Sequence, residues 1–216
     1  MSILTELFFV DEHTCGFCRE EPVSTHGICT DCKGRLEFVK GELQIRGTEI
    51  WCNYPLFYNN FLKGKVHAFK FQGSSYLYRT FGEILVDCYR QMGSPQVDLI
   101  LPVPLHPRME RQRGYNQAAL LARVLSERTG IPLEEHALKK TRQTKEQNKL
   151  SYLEREENLQ DSIRIARPDA IKGKRLLLVD DFITTGATFR SLIDALLPAE
   201  PKSLIALALT SSSRLE

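Results

Sequence analysis

The stretch 176-LLLVDDFITTGAT-188 sets two opposed chemistries side by side. Four apolar residues end in adjacent carboxylates, Asp180 and Asp181, which repel anions. A few residues on, Thr184-Thr185-Gly186-Ala187-Thr188 has the makeup of an anion cradle. Its small residues and glycine let backbone N–H groups approach a phosphate closely. The helix it opens adds N-terminal donors and a favourable dipole, and three threonine hydroxyls add more donors. The carboxylates cannot serve that phosphate. They suit hydroxyl groups, from which they accept, or a magnesium ion, which offsets their charge. A sugar phosphate satisfies both halves, with its phosphate in the turn and its ring hydroxyls on the acids. The bland alternative is an acidic strand end that happens to precede a Thr-rich helix start. No GxxxxGK[ST] occurs, so Walker-type phosphate binding is excluded.

Outward from this stretch the chain alternates. Val97–Leu101 is a short apolar run ended by Pro102 and Pro104, which suits a buried strand. Leu176–Val179 is a second such run and Ser203–Ala208 a third, while Ile50–Tyr58 marks a strand region. Between them, Leu77–Tyr89, Asn116–Arg128 and Ala187–Leu197 carry apolar residues at helical spacing. The helices stop at Gly130 with Pro132, and at Pro198. This alternation predicts an α/β fold with a parallel sheet. Ligands of such sheets bind beyond the carboxyl ends of the strands, where Asp180, Asp181 and Pro102–Leu105 fall.

A chain of 216 residues with 42% hydrophobic and 26% charged residues reads as one ordinary domain with a small appendage. A net charge of +2 means that affinity for nucleic acid must come from local patches. The opening MSILTELFFVDEH reads as neither signal peptide nor membrane span, and no apolar run is long enough to cross a bilayer. The expectation is a cytoplasmic protein without membrane insertion.

Four of the six cysteines form Cys15-x-x-Cys18 and Cys29-x-x-Cys32, with ten residues between the pairs. Two such turns facing each other close a tetrahedral zinc shell with no open position for catalysis. Disulfides or a redox CxxC are the alternative. Residues 1–45 therefore read as a zinc-binding module, a ribbon or knuckle too small for a sizeable core, and 46–216 as the main domain. The polar stretch Lys40–Thr48 reads as the joint. Cys52 and Cys88 read as buried thiols, and His13 and His26 as bystanders.

LLLVDDFITTGAT also resembles the 5-phosphoribosyl-1-pyrophosphate (PRPP) motif of type I phosphoribosyltransferases: four apolar residues, two acids, then T-T-G-x-T. The resemblance extends along nearly the whole chain. The four-cysteine N-terminus, 101-LPVPLHPRMERQRGYNQA-118 and 141-TRQTKEQNKLSYLEREEN-158 are similar to the ComF family of competence proteins. Asp161-Ser162-Ile163 stands where that family often has Gly-Ala-Phe.

The resemblance implies a type I phosphoribosyltransferase fold, structural zinc, and magnesium brought in with PRPP. It implies Asp180 and Asp181 as catalytic acids and Thr184, Thr185, Gly186, Ala187 and Thr188 as the phosphate loop. Val103 and Pro104, after the first sheet strand, would meet pyrophosphate, with Arg111 and Arg113 as charge partners. Lys70 is placed near the pocket because KFQG resembles a family signature. A lid mapped onto Lys139–Leu150 would bring Lys139, Lys140 and Arg142 over the ligand, neutralising charge on departing pyrophosphate and excluding water. The alternative for that segment is a solvated basic loop.

Two functions follow. One is phosphoribosyl transfer from PRPP to a nitrogen base in nucleotide salvage, although no segment plays the hood that reads an acceptor. A retained pocket could equally serve a sensor or be a structural relic. The other, implied by the ComF resemblance, is handling of single-stranded DNA during uptake in natural transformation. Its partner would be the ATP-driven ComF helicase/translocase, peripheral to the membrane machinery. Residues 54–81 interleave Tyr54, Phe57, Tyr58, Phe61, Phe69, Phe71, Tyr76 and Tyr78 with Lys63, Lys65, Lys70 and Arg79, which could stack bases and track phosphates. The plainer reading puts at least half of those aromatics in the core.

Overall fold

The computed structural model describes residues 13–141 and 163–213. A five-stranded sheet is built from β1 (Glu37–Gln44), β2 (Trp51–Phe57), β3 (Leu99–Pro102), β6 (Arg175–Ile183) and β7 (Ser203–Ser211), in the order β1-β2-β7-β6-β3. β2, β7, β6 and β3 run parallel, and β1 is an antiparallel edge folded back on β2. A separate two-stranded ribbon joins β4 (Leu138–Lys140) to β5 (Ile163–Ile165).

Each strand of the central pair is apolar on both sides, as a doubly covered parallel strand must be. Alternation along β6 sends Leu177 and Val179 to one face and Leu176 and Leu178 to the other. The first pair packs with Phe69, Phe81, Leu121 and Leu125. These come from α2 (Asn60–Phe71), α3 (Leu77–Gln91) and α5 (Gln117–Thr129), which follow the short α1 (Thr30–Gly34) of the cysteine segment. The second pair packs with Phe189, Leu192 and Ile193 of α6 (Ala187–Leu196). Burying one such side chain contributes roughly 1.5–3 kcal/mol, so these two interfaces hold the layers together.

The chain thus leaves β3 through α4 (Pro107–Arg113) and α5 on the first face, but leaves β6 through α6 on the second. Neighbouring strands whose connections part to opposite faces open a crevice at their carboxyl ends. Pro102 pairs with Val179 at this point, and Val103 N–H donates to the Val179 carbonyl at 2.8 Å.

The strands at Leu176, Val97 and Ser203 and the helices at Leu77, Asn116 and Ala187 all form, with ends shifted by a few residues. β6 runs on through the acid pair to Ile183, because its pairing with β7 continues to Ser211. The joint expected over Lys40–Thr48 is instead largely strand. Gly41–Gln44 pair with Trp51–Tyr54, past an irregularity between Phe38 and Gly41, so backbone pairing overrides the polar composition. Helix α2 also goes beyond the sequence reading. Asn59 caps it by accepting from Leu62 N–H at 2.9 Å, and it buries Leu62, Val66 and Phe69.

The cysteine segment does not stand apart. Cys15, Phe17, Ile28, Cys29 and Cys32 are buried in the same cluster as Phe69 and Phe81. Phe17 lies 5.5 Å from Phe81 and 5.9 Å from Phe61, centroid to centroid. Lys65 Nζ donates to the Phe17 carbonyl at 2.6 Å, and His26 Nε2 meets Asp87 Oδ2 at 2.6 Å. No helix among the described residues is long and apolar enough to cross a membrane.

Candidate functional site

Asp180 and Asp181 sit near the carboxyl end of β6, an interior strand between β7 and β3. Asp181 turns toward α2, where Lys70 Nζ lies 2.7 Å from its Oδ2. Asp180 accepts from the Asp181 backbone N–H at 2.8 Å. Burial pushes the Asp180 carboxyl up, Asp181's charge adds to this, and Lys70 partly offsets it, leaving the group at about 8.

Beyond β6, Gly186 adopts φ 77°, the left-handed conformation that glycine tolerates best, and begins α6 with no side-chain cap. The Thr185 hydroxyl accepts from Ala187 N–H at 3.4 Å. The first turn of this ten-residue helix contains no acid that would compete with an anion.

One further cation, Lys140, feels the charge of Asp180, and Arg113 lies within electrostatic range of that lysine. Lys140, on β4, is half-buried; burial lowers its pKa, the charge of Asp180 raises it, and that of Arg113 lowers it. Arg113 closes α4, lies 4.8 Å over the Phe71 ring and donates to Gln117 Oε1 at 3.0 Å. Its buried Nε has no hydrogen-bond partner among the described residues. Lys139 alternates to the exposed side of β4 and pairs with Arg164 across the ribbon. Arg111 is exposed on α4, and among the described residues no contact links it or Lys139 to the acids. Val103 and Pro104 are buried immediately beyond β3. Arg142 and the rest of the lid to Leu150 lie outside the described residues, as do Thr144, Gln147, Arg155 and Asn158.

The segment 113-RGYNQ-117 acts as a joint that the sequence reading quoted without giving it a task. Gly114 ends α4 at φ 84°. Tyr115 Oη donates to the Phe69 carbonyl at 2.6 Å, and Gln117 Nε2 reaches the same oxygen at 3.5 Å. Asn116 Nδ2 donates to the Val103 carbonyl at 3.0 Å while its Oδ1 caps α5. One loop therefore fixes both the turn of α2 that carries Lys70 and the loop after β3. Tyr58, one of the interleaved aromatics, meets Phe182 edge to face at 4.7 Å beside Asp181.

Among the nine Phe and Tyr residues of 54–81, Tyr54, Phe69 and Phe81 are buried, and Phe57, Tyr58, Phe61, Tyr76 and Tyr78 are half-buried. Phe71 alone is fully exposed, at 51%. Most of that interleaving therefore serves packing, with cations laid over ring faces, as Arg19 over Tyr76 at 3.6 Å and Arg35 over Phe61 at 4.1 Å.

The second site is the cysteine cluster. The sulfurs of Cys15, Cys18, Cys29 and Cys32 all lie within 4.8 Å of one another, and none is in a disulfide. Cys18 Sγ and Cys29 Sγ are 3.8 Å apart. A tetrahedral zinc–sulfur shell requires about 3.8 Å between sulfurs, given bonds near 2.3 Å. Burial pushes the Cys15 thiol up, but N–H donors from Cys18, Cys29 and Phe17 outweigh it and hold it at about 6. Such donors favour thiolate, the ligating form. Four sulfurs and no open position fit a structural metal such as zinc.

Residues 111–214 match the family model described as the phosphoribosyl transferase domain. The chain is 27% identical over 187 residues to competence protein ComFC of Bacillus subtilis, covering 87% of this chain and 72% of that protein. It is 34% identical over 132 residues to competence protein F of Haemophilus influenzae, covering 59% of this chain and 58% of that relative's length. Among solved structures, adenine phosphoribosyltransferase from Thermoanaerobacter pseudethanolicus aligns with a TM-score of 0.40 at 15% identity, over 84% of this chain and 98% of that one.

Proposed function

We propose, from the premise that this is a ComF-type chain carrying a phosphoribosyl transferase domain, that it binds PRPP with magnesium and acts in competence-linked handling of single-stranded DNA. One observation carries the reading: the acid pair and the Thr184–Thr188 turn stand in sequence at the carboxyl end of β6, beside the crevice with β3. Asp180 and Asp181 would accept from the ribose hydroxyls, and the N–H groups from Thr184 to Thr188 would hold the 5-phosphate. Arg113 and Lys140, with the loop at Val103 and Pro104, would face the pyrophosphate. The carboxylate oxygens are hard donors suited to magnesium, which when bound would spread the pyrophosphate charge. Zinc on the four cysteines would be structural.

Calorimetry of Mg·PRPP binding tests the site. Asp180→Asn with Asp181→Asn should abolish magnesium-dependent binding while the circular dichroism spectrum stays unchanged. Undiminished affinity in that variant sinks the assignment.

A second reading, full phosphoribosyl transfer to a nitrogen base, is favoured by Lys140, which feels the charge of Asp180, and by its neighbour Arg113; both would stabilise departing pyrophosphate. Pyrophosphate release on adding bases to the Mg·PRPP complex separates transfer from binding alone. For DNA, the exposed Lys139 and half-buried Lys140 form a candidate contact. Charge reversal at both should weaken oligonucleotide binding and flatten its salt dependence. The cytoplasmic setting beside a membrane uptake apparatus and an ATP-driven helicase/translocase belong to the same proposal, as does the division at residue 45.

A further inference from the structure

The Thr184–Thr188 turn is held from a distant part of the chain. Gly186 opens α6 without a capping side chain, and the bond from Ala187 N–H to the Thr185 hydroxyl is long at 3.4 Å. Gly186 is instead buried against the β1–β2 hairpin: a Cβ there would lie 3.6 Å from Ile45 Cα and from Leu43 Cδ2. One turn into α6, Arg190 reaches the tip of that hairpin. Its Nη1 donates to the Arg46 carbonyl at 3.0 Å and to the Gly47 carbonyl at 2.8 Å. Its Nε donates to the two Asp194 oxygens at 2.9 and 2.8 Å. The exposed Arg190–Asp194 pair adds little stability by itself, but it orients the guanidinium. The tip is shaped to meet it. Thr48 N–H and hydroxyl both donate to the Ile45 carbonyl, at 3.0 and 2.8 Å, and Gly47 takes φ 73°. This tight turn presents the Arg46 and Gly47 carbonyls to α6.

We infer that Arg190 is a positioning residue: with the β1–β2 tip it forms a clamp that fixes the Thr184–Thr188 turn in the form that receives a phosphate monoester. The inference rests on the PRPP reading and adds the device that orders its 5-phosphate subsite. Backbone N–H groups bind an anion well only when already aligned, since any freedom left in the turn must be lost on binding. Only Thr184, Thr185 and Gly186 join β6 to α6, so the placement of the first helical turn dictates where those N–H groups point. The clamp sets that placement from outside the helix, through two carbonyl contacts that the guanidinium charge strengthens. Arg190 Nη1 and Nε are engaged by the hairpin and Asp194, so the residue acts through the turn.

The test compares two probes on the full chain by calorimetry: ribose 5-phosphate, which needs the turn, and Mg·pyrophosphate, which does not. Arg190→Met should lose about tenfold in affinity for ribose 5-phosphate, with Mg·pyrophosphate within about twofold of wild type. Gly47→Ala disturbs the clamp from the other side, because its Cβ would clash with Arg190 Nη1 while the arginine's charge stays. It should lose ribose 5-phosphate affinity likewise, and the double variant should bind no more weakly than Arg190→Met. Wild-type ribose 5-phosphate affinity in Arg190→Met overturns the inference, as does an equal loss of both probes, which marks general destabilisation. Wild-type affinity in Gly47→Ala overturns it too, because the loss in Arg190→Met is then one of charge. Hydrogen exchange without ligand gives a readout independent of PRPP. In Gly47→Ala the amides of Ala187 and Arg190 should exchange about tenfold faster, while that of Leu178 in β6 stays unchanged. Unaltered exchange at Ala187 and Arg190 overturns the clamp. Failure of wild type to bind ribose 5-phosphate, with exchange as expected, counts against the PRPP reading and leaves the clamp standing.

Discussion

Lys70, near the end of α2, and Asp181, near the end of β6, form an ion pair of 2.7 Å across the layer between helix and sheet. Their side chains are 22% and 10% exposed, so water screens the pair only partly. The contact joins the helix fixed by Tyr115 and Gln117 to the acid pair.

Removing the cation should therefore do more than free a surface lysine. Lys70→Met leaves Asp181 uncompensated beside Asp180, and a loss of about 3 kcal/mol is expected in urea unfolding. Pairing it with Asp181→Asn should recover much of the loss. A double-mutant cycle showing no coupling would dissolve the role given to the pair.

Asp180 sets a pH dependence of defined sign. Its folded pKa, about 8, lies above the value near 4 of an unfolded carboxyl, because burial and the Asp181 charge oppose ionisation. Between these values the folded state binds more protons than the unfolded one. This group's contribution must then fall as pH rises from about 4 to 8. Asp180→Asn should flatten that slope in thermal unfolding across the window. Asp98 acts oppositely. Hydrogen bonds from Arg175 hold its carboxyl well below the usual range, so its contribution is present above about pH 4 and lost on acidification.

Metal removal should destabilise more than the cysteine turn. Cys15, Cys29 and Cys32 share a cluster with Phe69 and Phe81, which also support α2 and α3. Cys15→Ser, or strong chelation, should lower the melting temperature of the whole chain by on the order of 10 °C, in one transition. Metal analysis should return about one zinc per chain in wild type. Two separate melting transitions would show an independent module instead.

Gly82 marks the closest approach of α3 to α5. A Cβ there would stand 2.5 Å from Val124 Cβ, in the buried centre of the contact. Gly82→Ala should cost about 1–3 kcal/mol through overpacking, read by denaturant midpoint. Val124→Ala in the same chain should relieve part of it.

The sequence alone determined what short-range chemistry controls. Apolar runs ended by prolines or acids marked the parallel strands. Helical spacing gave α3, α5 and α6. Paired CxxC turns and the DDFITTGAT run carried their ligand preferences in local composition, because a glycine at φ 77° or two thiolates on one turn are properties of a few adjacent residues. Tertiary structure decided what depends on distance along the chain. Only packing brought Lys70 to Asp181, 111 positions away by number, and gave Tyr115 the Phe69 carbonyl to hold. Strand pairing turned the polar Gly41–Gln44 into a sheet edge. Such contacts arise from the geometry of whole layers, and a linear pattern records only the residues that make them.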